Sequence, residues 1–66
     1  MNIIVNGQKK EFKDNTTLHE LLVELHLEGK VMAAAINMDI IKQDSWKNHI
    51  LTDGDKLELL DFVGGG

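Results

Sequence analysis

The residues best placed to do chemistry are the last three of the sequence, Gly64-Gly65-Gly66. Glycine has no side chain, so a glycine segment buries no apolar surface and loses the most backbone freedom when it is fixed. We therefore predict a flexible C-terminal tail over residues 64–66, carried by one folded domain over residues 1–63. A tail without Cβ atoms can enter a narrow site on another protein that larger residues would block.

The chemistry available to such a tail is that of a terminal carboxylate on Gly66. A carboxylate is an anion at neutral pH, so it can attack a phosphoryl centre but reacts as an acyl donor only after activation. Adenylation by ATP on a separate enzyme would supply that activation, and a sulfur nucleophile or a protein amine could then attack the carbonyl carbon. We expect Gly66 to be the reacting residue, with Gly65 and Gly64 inside the partner's site. A frayed end or a cloning linker would look the same, so the rest of the chain must decide.

Other chemically active side chains are few and poorly placed. His19 and His26 are seven positions apart, about 10.5 Å along a helix, too far for one zinc ion. His49 stands alone in a predicted loop, and the chain has no Cys, so any sulfur chemistry must import its sulfur. No phosphate-binding or dinucleotide-binding glycine motif is present. The sequence predicts no metal site and no cofactor bound by the chain, and a protein that serves enzymes as a co-substrate.

Composition favours one small soluble domain. The chain has 66 residues, of which 42% are apolar and 27% charged, and its net charge is −4. Arg is absent and Lys residues are scattered, which argues against nucleic-acid binding. The N-terminus lacks a signal-peptide pattern, and no apolar run approaches membrane-spanning length. We expect a cytoplasmic protein that is monomeric when alone.

The first half of the chain predicts a hairpin. Residues 3–5 are β-branched and lead into Asn6-Gly7, the preferred pair for a two-residue hairpin turn. A second strand over residues 8–13 returns with mostly charged side chains and one aromatic residue, Phe12. Its polarity indicates an edge strand.

One amphipathic helix follows the hairpin. Thr17 and Glu20 form a capping-box pattern at the start of a helix predicted over residues 18–27. Gly29 is predicted to be the left-handed residue that ends the helix. The helix carries one apolar stripe, made of Leu18, Leu21, Leu22 and Leu25.

The second half alternates short strands and turns. In chain order these are a strand over Val31–Ile36, a turn at Asn37-Met38-Asp39, a return strand from Ile40-Ile41, a helical turn capped by Asp44-Ser45 and carrying Trp46, and a turn at Asp53-Gly54. The last predicted strand covers residues 57–63. Its alternation directs Leu57, Leu59 and Val63 to one face and Leu60 and Phe62 to the other.

These elements predict an α+β fold in which one helix packs on one face of a small mixed sheet. The other face then stays uncovered, and Ile4, Leu60 and Phe62 are the apolar residues expected on it. Exposed apolar residues on a small protein usually mark a docking surface. The alternative is that a loop, such as the one holding Trp46, covers them.

The order of these motifs resembles the ThiS family of sulfur carrier proteins of thiamine biosynthesis, ubiquitin-like β-grasp proteins within the superfamily that also contains the molybdopterin synthase small subunit. The resemblance covers nearly the whole chain. The motifs that carry it are Ile3-Ile4-Val5-Asn6-Gly7, Thr17 with Leu21-Leu22, Ala34-Ala35-Ile36-Asn37, Ile40-Ile41, Ser45-Trp46, Asp53-Gly54-Asp55 and Val63-Gly64-Gly65-Gly66.

The resemblance implies a specific route for Gly66. A ThiF-type adenylating enzyme would activate its carboxylate with ATP, and a desulfurase system would deliver sulfur from cysteine to form a thiocarboxylate. A ThiG-type thiazole synthase would then receive that sulfur. On the family pattern Gly65 and Gly66 carry the function, and Leu60 lies in the partner-docking face.

Three alternatives remain at this point. The first is a small subunit of molybdopterin synthase, although such proteins are generally longer and tend to carry Pro before the final glycines, and this chain has no Pro. The second is a ubiquitin-like modifier joined through Gly66 to lysines of target proteins. The third is an interaction domain whose glycine end has no role.

Overall fold

The computed structural model describes residues 1–61, so the predictions that concern Phe62, Val63 and the glycine tail lie outside the described residues. In chain order the elements are β1 (Asn2–Val5), β2 (Gln8–Glu11), α1 (Leu18–Glu24), β3 (Val31–Ile36), β4 (Asp39–Ile41), a 3₁₀ turn (Gln43–Ser45) and β5 (Lys56–Asp61). No helix in residues 1–61 is long and apolar enough to cross a membrane.

The strands form one mixed sheet in the order β2-β1-β5-β3-β4. β1 and β5 run parallel, while the pairs β1–β2, β3–β5 and β3–β4 are antiparallel. The strand nearest the C-terminus therefore occupies the centre of the sheet. This arrangement confirms the predicted α+β class with one helix on a small mixed sheet.

The first hairpin forms as predicted. Asn6 and Gly7 both have positive φ angles, 48° and 85°, and Val5 pairs with Gln8 across the turn. β2 is shorter than predicted, but Phe12 still follows the ladder, because its N–H donates to the Met1 carbonyl at 2.9 Å. Phe12 is buried and anchors this edge of the sheet.

The helix begins at the predicted capping box. The Thr17 Oγ1 accepts from the Glu20 N–H at 3.1 Å, and a Glu20 carboxylate oxygen accepts from the Thr17 N–H at 2.9 Å. The N–H groups of Leu18 and His19 donate to backbone carbonyls in the loop that holds Trp46. All the donors of the first turn are thus satisfied, and the loop is tied to the helix.

The helix ends earlier than predicted, and Gly29 is not the residue that ends it. His26 adopts the left-handed conformation with φ 61°. Its N–H donates to the Val23 carbonyl at 3.1 Å, and the N–H of Leu27 donates to the Leu22 carbonyl at 2.8 Å. This pair of bonds is a Schellman closure built on a histidine in place of the usual glycine. Gly29 also has a positive φ, but in a later turn.

Two local predictions in the second half are corrected. The β3–β4 turn consists of Asn37 and Met38, both with positive φ, and Asp39 already belongs to β4. The 3₁₀ turn is preceded by Lys42 and has no side-chain cap, so the expected capping by Asp44-Ser45 is wrong. A two-residue hairpin turn needs positive φ at both central residues, and Asn37 and Met38 supply it, so Asp39 is the first residue of the return strand.

The core lies between α1 and one face of the sheet. Trp46 belongs to it, with 6% of its surface exposed and its indole Nε1–H donating to the Ile41 carbonyl at 2.8 Å. In the helix stripe, the first three leucines are buried and Leu25 is half-buried. The buried apolar residues are Ile3, Val5, Phe12, Leu18, Leu21, Leu22, Val31, Ala34, Ile36, Trp46, Leu51 and Leu57.

Candidate functional site

The central strand β5 separates the two faces of the sheet by strict alternation. Leu57 is 1% exposed and Leu59 is half-buried, both toward the helix side. Lys56, Glu58 and Leu60 are exposed on the opposite face, and Leu60 keeps 59% of its surface in contact with solvent. The predicted orientation is confirmed for the described part of this strand. Since the Trp46 loop is bonded to α1, it lies on the helix side and does not cover Leu60.

Small residues on β3 make Leu60 prominent. Ala33 is the cross-strand partner of Leu60, and Ala35 is the partner of both Glu58 and Ile40. Methyl groups fill little space beside the longer side chains, so a shallow groove of about 270 Å³ remains there, with apolar walls. Ile40 is 78% exposed at its border. We call Ala33, Ala35, Ile40 and Leu60 the open-face patch.

Ile4 shares this face but is not part of the patch. It is half-buried between Ile3 and Val5, which point to the core. Its partner on β5 is Lys56, four positions before Leu60, and four strand residues span about 13 Å. The structure therefore separates Ile4 from Leu60, while Phe62 lies beyond the described residues.

Within the described residues 1–61, the C-terminal half of β5 has a strand neighbour on one side only. β1 pairs with β5 at Ile4↔Lys56 and Val5↔Leu57 and then turns away at Asn6. The Asn6 side-chain Oδ1 accepts from the Leu59 N–H at 2.8 Å and replaces the next ladder bond. On the other side, β3 pairs with β5 as far as Asp61. β5 thus extends beyond its pairing with β1 before it reaches the C-terminal segment.

A second depression lies on the helix side, far from the patch. It has a volume of about 400 Å³ and is lined by residues that include His19, Glu28 and Trp46. His19 Nε2 lies 3.6 Å from a Glu28 carboxylate oxygen. Within residues 1–61 no three His, Asp or Glu side chains come close enough together to hold a metal ion. This depression holds a surface contact between His19 and Glu28.

Sequence reasoning missed three of the patch residues, Ala33, Ala35 and Ile40. The alternation along β3 already places Ala33 and Ala35 on one face of the strand and Ala34 and Ile36 on the other. The sequence alone does not show that β3 lies beside β5, so it does not show that Ala33 and Ala35 lie next to Leu60.

The geometry defines a class of protein. A helix packs on one face of a five-stranded mixed sheet with parallel β1 and β5 in its interior, which is the ubiquitin-like β-grasp arrangement. The other face carries an apolar patch next to the strand that leads into the C-terminal glycines.

Within that class, the chain belongs to the ThiS family, whose family model matches residues 3–66. The sulfur carrier protein ThiS of Escherichia coli is 36% identical over 66 residues, which is the full length of both chains. The Bacillus subtilis protein of the same name is 35% identical over 63 residues, 94% of this chain and 96% of the relative.

Two further comparisons extend this result. A thiazole synthase of Paramagnetospirillum magneticum is 35% identical over 66 residues, and the chain spans only 20% of that larger protein. The crystal structure of the thiamine biosynthesis protein ThiS from Geobacter metallireducens superposes with a TM-score of 0.81 at 28% identity, covering all of both chains. The fold and the family therefore agree.

Proposed function

We propose that this protein is a sulfur carrier whose working group is the carboxylate of Gly66. A ThiF-type enzyme adenylates that carboxylate, a desulfurase system converts it to a thiocarboxylate, and thiazole synthase receives the sulfur. The folded domain is the part of the protein that the partner enzymes bind. The protein itself catalyses no step and serves as a co-substrate.

The observation that carries this proposal is the extent of the family match. It continues through Gly66 and therefore includes the whole glycine run. A cloning linker or an accidental extension would lie outside the matched region. The two ThiS relatives are named as sulfur carriers. The relatives named for thiamine biosynthesis and as thiazole synthases favour thiazole formation over the molybdopterin alternative.

The chemistry follows from the carboxylate. One of its oxygens attacks the α-phosphorus of ATP and pyrophosphate leaves, which gives an acyl-adenylate. Hydrosulfide supplied by the donor system then attacks the carbonyl carbon and AMP leaves with that oxygen, which gives the thiocarboxylate. Gly64 and Gly65 present no Cβ on either side of the reacting chain, so they allow passage through a narrow site and leave the carbonyl open to attack.

The receiving partner is suggested by the larger relatives. In the thiazole synthases of Paramagnetospirillum magneticum and Magnetococcus marinus, the matching segment is one fifth of a single polypeptide. A carrier domain and its acceptor gain a high effective concentration when they share a chain. We propose that this domain contacts thiazole synthase through the open-face patch, with Leu60 as its main apolar contact.

The test compares the full chain with a variant lacking Gly66 in ATP–pyrophosphate exchange catalysed by the ThiF-type enzyme. We expect exchange to fall to background in the shortened chain, since the reacting carboxylate is displaced by one residue, while the thermal unfolding curve stays unchanged. Val23→Ala, on the solvent side of α1, is the matched control and should support normal exchange. Normal exchange by the shortened chain would refute the proposed role of Gly66.

A further inference from the structure

The part of β5 beyond Leu57 presents an open hydrogen-bonding edge. The Leu59 N–H points toward Asn6 and away from β3. Backbone groups alternate sides along a strand, so the Leu59 carbonyl and the Asp61 N–H point to the same edge. The backbone N–H and C=O groups of Glu58 and Leu60 point to the opposite edge, toward their β3 partners Ala35 and Ala33. Among residues 1–61, β1 pairs with β5 only at Lys56 and Leu57.

The Leu59 carbonyl and the Asp61 N–H have no strand partner on this edge among residues 1–61, and they have the chemistry of a strand-addition site. A carbonyl and an N–H two residues apart on one edge are what a neighbouring β-strand bonds to. Leu60 lies between them with its side chain on the open face, and the shallow groove lies on its far side, toward β3. In strand addition, the main chain supplies the hydrogen bonds, and the side chains of the added strand that face the open side would contact Leu60.

We propose that thiazole synthase adds an extended segment to this edge of β5, in the place that β1 leaves vacant after Asn6. This inference rests on the proposed function, because it names how the same partner holds the same surface. The partner follows from the thiazole synthases that carry the matching domain within one polypeptide. Strand addition aligns the backbone of β5 immediately before the C-terminal segment.

The geometry also limits where that partner segment lies. Gly66 is five positions after Asp61, and five extended residues span at most about 18 Å. The added segment contacts Asp61, so the carbon that accepts or releases sulfur in the synthase must lie within about 18 Å of that contact.

The first experiment measures amide hydrogen exchange in the full chain, alone and bound to the thiazole synthase of the same organism. We expect the Asp61 N–H to exchange at least about tenfold more slowly in the complex. The Leu60 N–H is the internal control, because its bond to β3 protects it in both states. An Asp61 N–H that exchanges equally fast in both states would overturn the proposal.

The second experiment removes one hydrogen bond at a time by chemical synthesis of the 66-residue chain. N-methylation at Asp61 blocks its N–H without breaking a bond to β3, and it should weaken binding to the synthase by roughly threefold to tenfold. The matched control is N-methyl-Lys9. Lys9 pairs with Ile4 as a non-hydrogen-bonded pair, so its N–H points to the outer edge of the sheet.

The outcomes separate this inference from the proposed function. Weaker binding for N-methyl-Asp61 and normal binding for N-methyl-Lys9 support strand addition. Equal binding of all three chains refutes strand addition but leaves the carrier role in place. If the unmodified chain does not bind the synthase, the proposed partner is wrong and this inference fails with it, while ATP–pyrophosphate exchange still tests the role of Gly66 separately.

Discussion

The two faces of β5 use the same residue type for opposite purposes. Leu57 and Leu60 are three positions apart, yet one is 1% exposed and the other 59%. On the helix side, leucine removes apolar area from water and stabilises the domain. On the open side, Leu60 leaves that area exposed to solvent, and this is where we propose that a partner binds. The comparison shows that the face of the strand, and not the residue type, decides whether a leucine contributes to the core.

The largest expected effect on stability comes from the helix side. Leu57→Ala should lower the free energy of unfolding by about 2–5 kcal/mol, because it leaves a cavity under α1. Leu60→Ala is the matched change on the open face and should lower it by no more than about 0.5 kcal/mol. Urea denaturation of both variants measures the difference. Similar losses in the two variants would show that Leu60 also belongs to the core.

The second effect tests how β5 is held where β1 ends. Asn6→Ala removes the acceptor for the Leu59 N–H. It also places at the turn a residue that tolerates a φ of 48° less well than asparagine does. We expect a loss of about 2 kcal/mol. Asn6→Gly is the control, since glycine accepts the φ angle and only the hydrogen bond is lost, for about 1 kcal/mol. Equal free energies of unfolding for the two variants would mean that the positive φ at position 6 costs alanine no more than glycine.

The third effect concerns the start of the helix. Thr17→Ala removes the acceptor for the Glu20 N–H and should lower stability by about 1 kcal/mol. Thr17→Ser keeps a hydroxyl and should be nearly neutral. Thermal unfolding followed by circular dichroism measures both. A Thr17→Ser variant as unstable as Thr17→Ala would assign the role to the threonine methyl group.

The last prediction combines a small expected change in stability with a large change in binding. Leu60→Asp should leave the free energy of unfolding within about 1 kcal/mol of the parent, and should weaken binding to thiazole synthase at least about tenfold. Val23→Asp is the control, because it introduces the same charge in place of a 44% exposed apolar side chain of α1, on the other side of the sheet. Equal weakening by both variants would point to net charge in place of the open-face patch.

Local signals predicted most of the fold. Asn6-Gly7, the capping box at Thr17 and the leucine stripe of α1 each depend on neighbours within a few residues, and each appears where expected. The end of the helix was missed because His26 adopts a left-handed conformation that Gly29 was expected to supply. A non-glycine residue gives no sequence signal for that role.

The candidate site was only partly predictable because it depends on register. The alternation along β5 identified Leu60, but strand alternation alone could not place Ile4 about 13 Å away. The contributions of Ala33 and Ile40 depend on which strand lies beside β5, a pairing between residues distant in the sequence. The role of Asn6 as an acceptor for Leu59 has the same origin.

The most direct test of the account is the intact mass of the protein isolated from cells starved of thiamine. We predict a species heavier by the replacement of one oxygen with one sulfur, located at Gly66 by fragmentation, and absent from a chain that lacks Gly66. The contrary result is an unmodified carboxylate in every preparation together with lysine-linked conjugates of the protein, which would identify a protein modifier and refute the sulfur-carrier role.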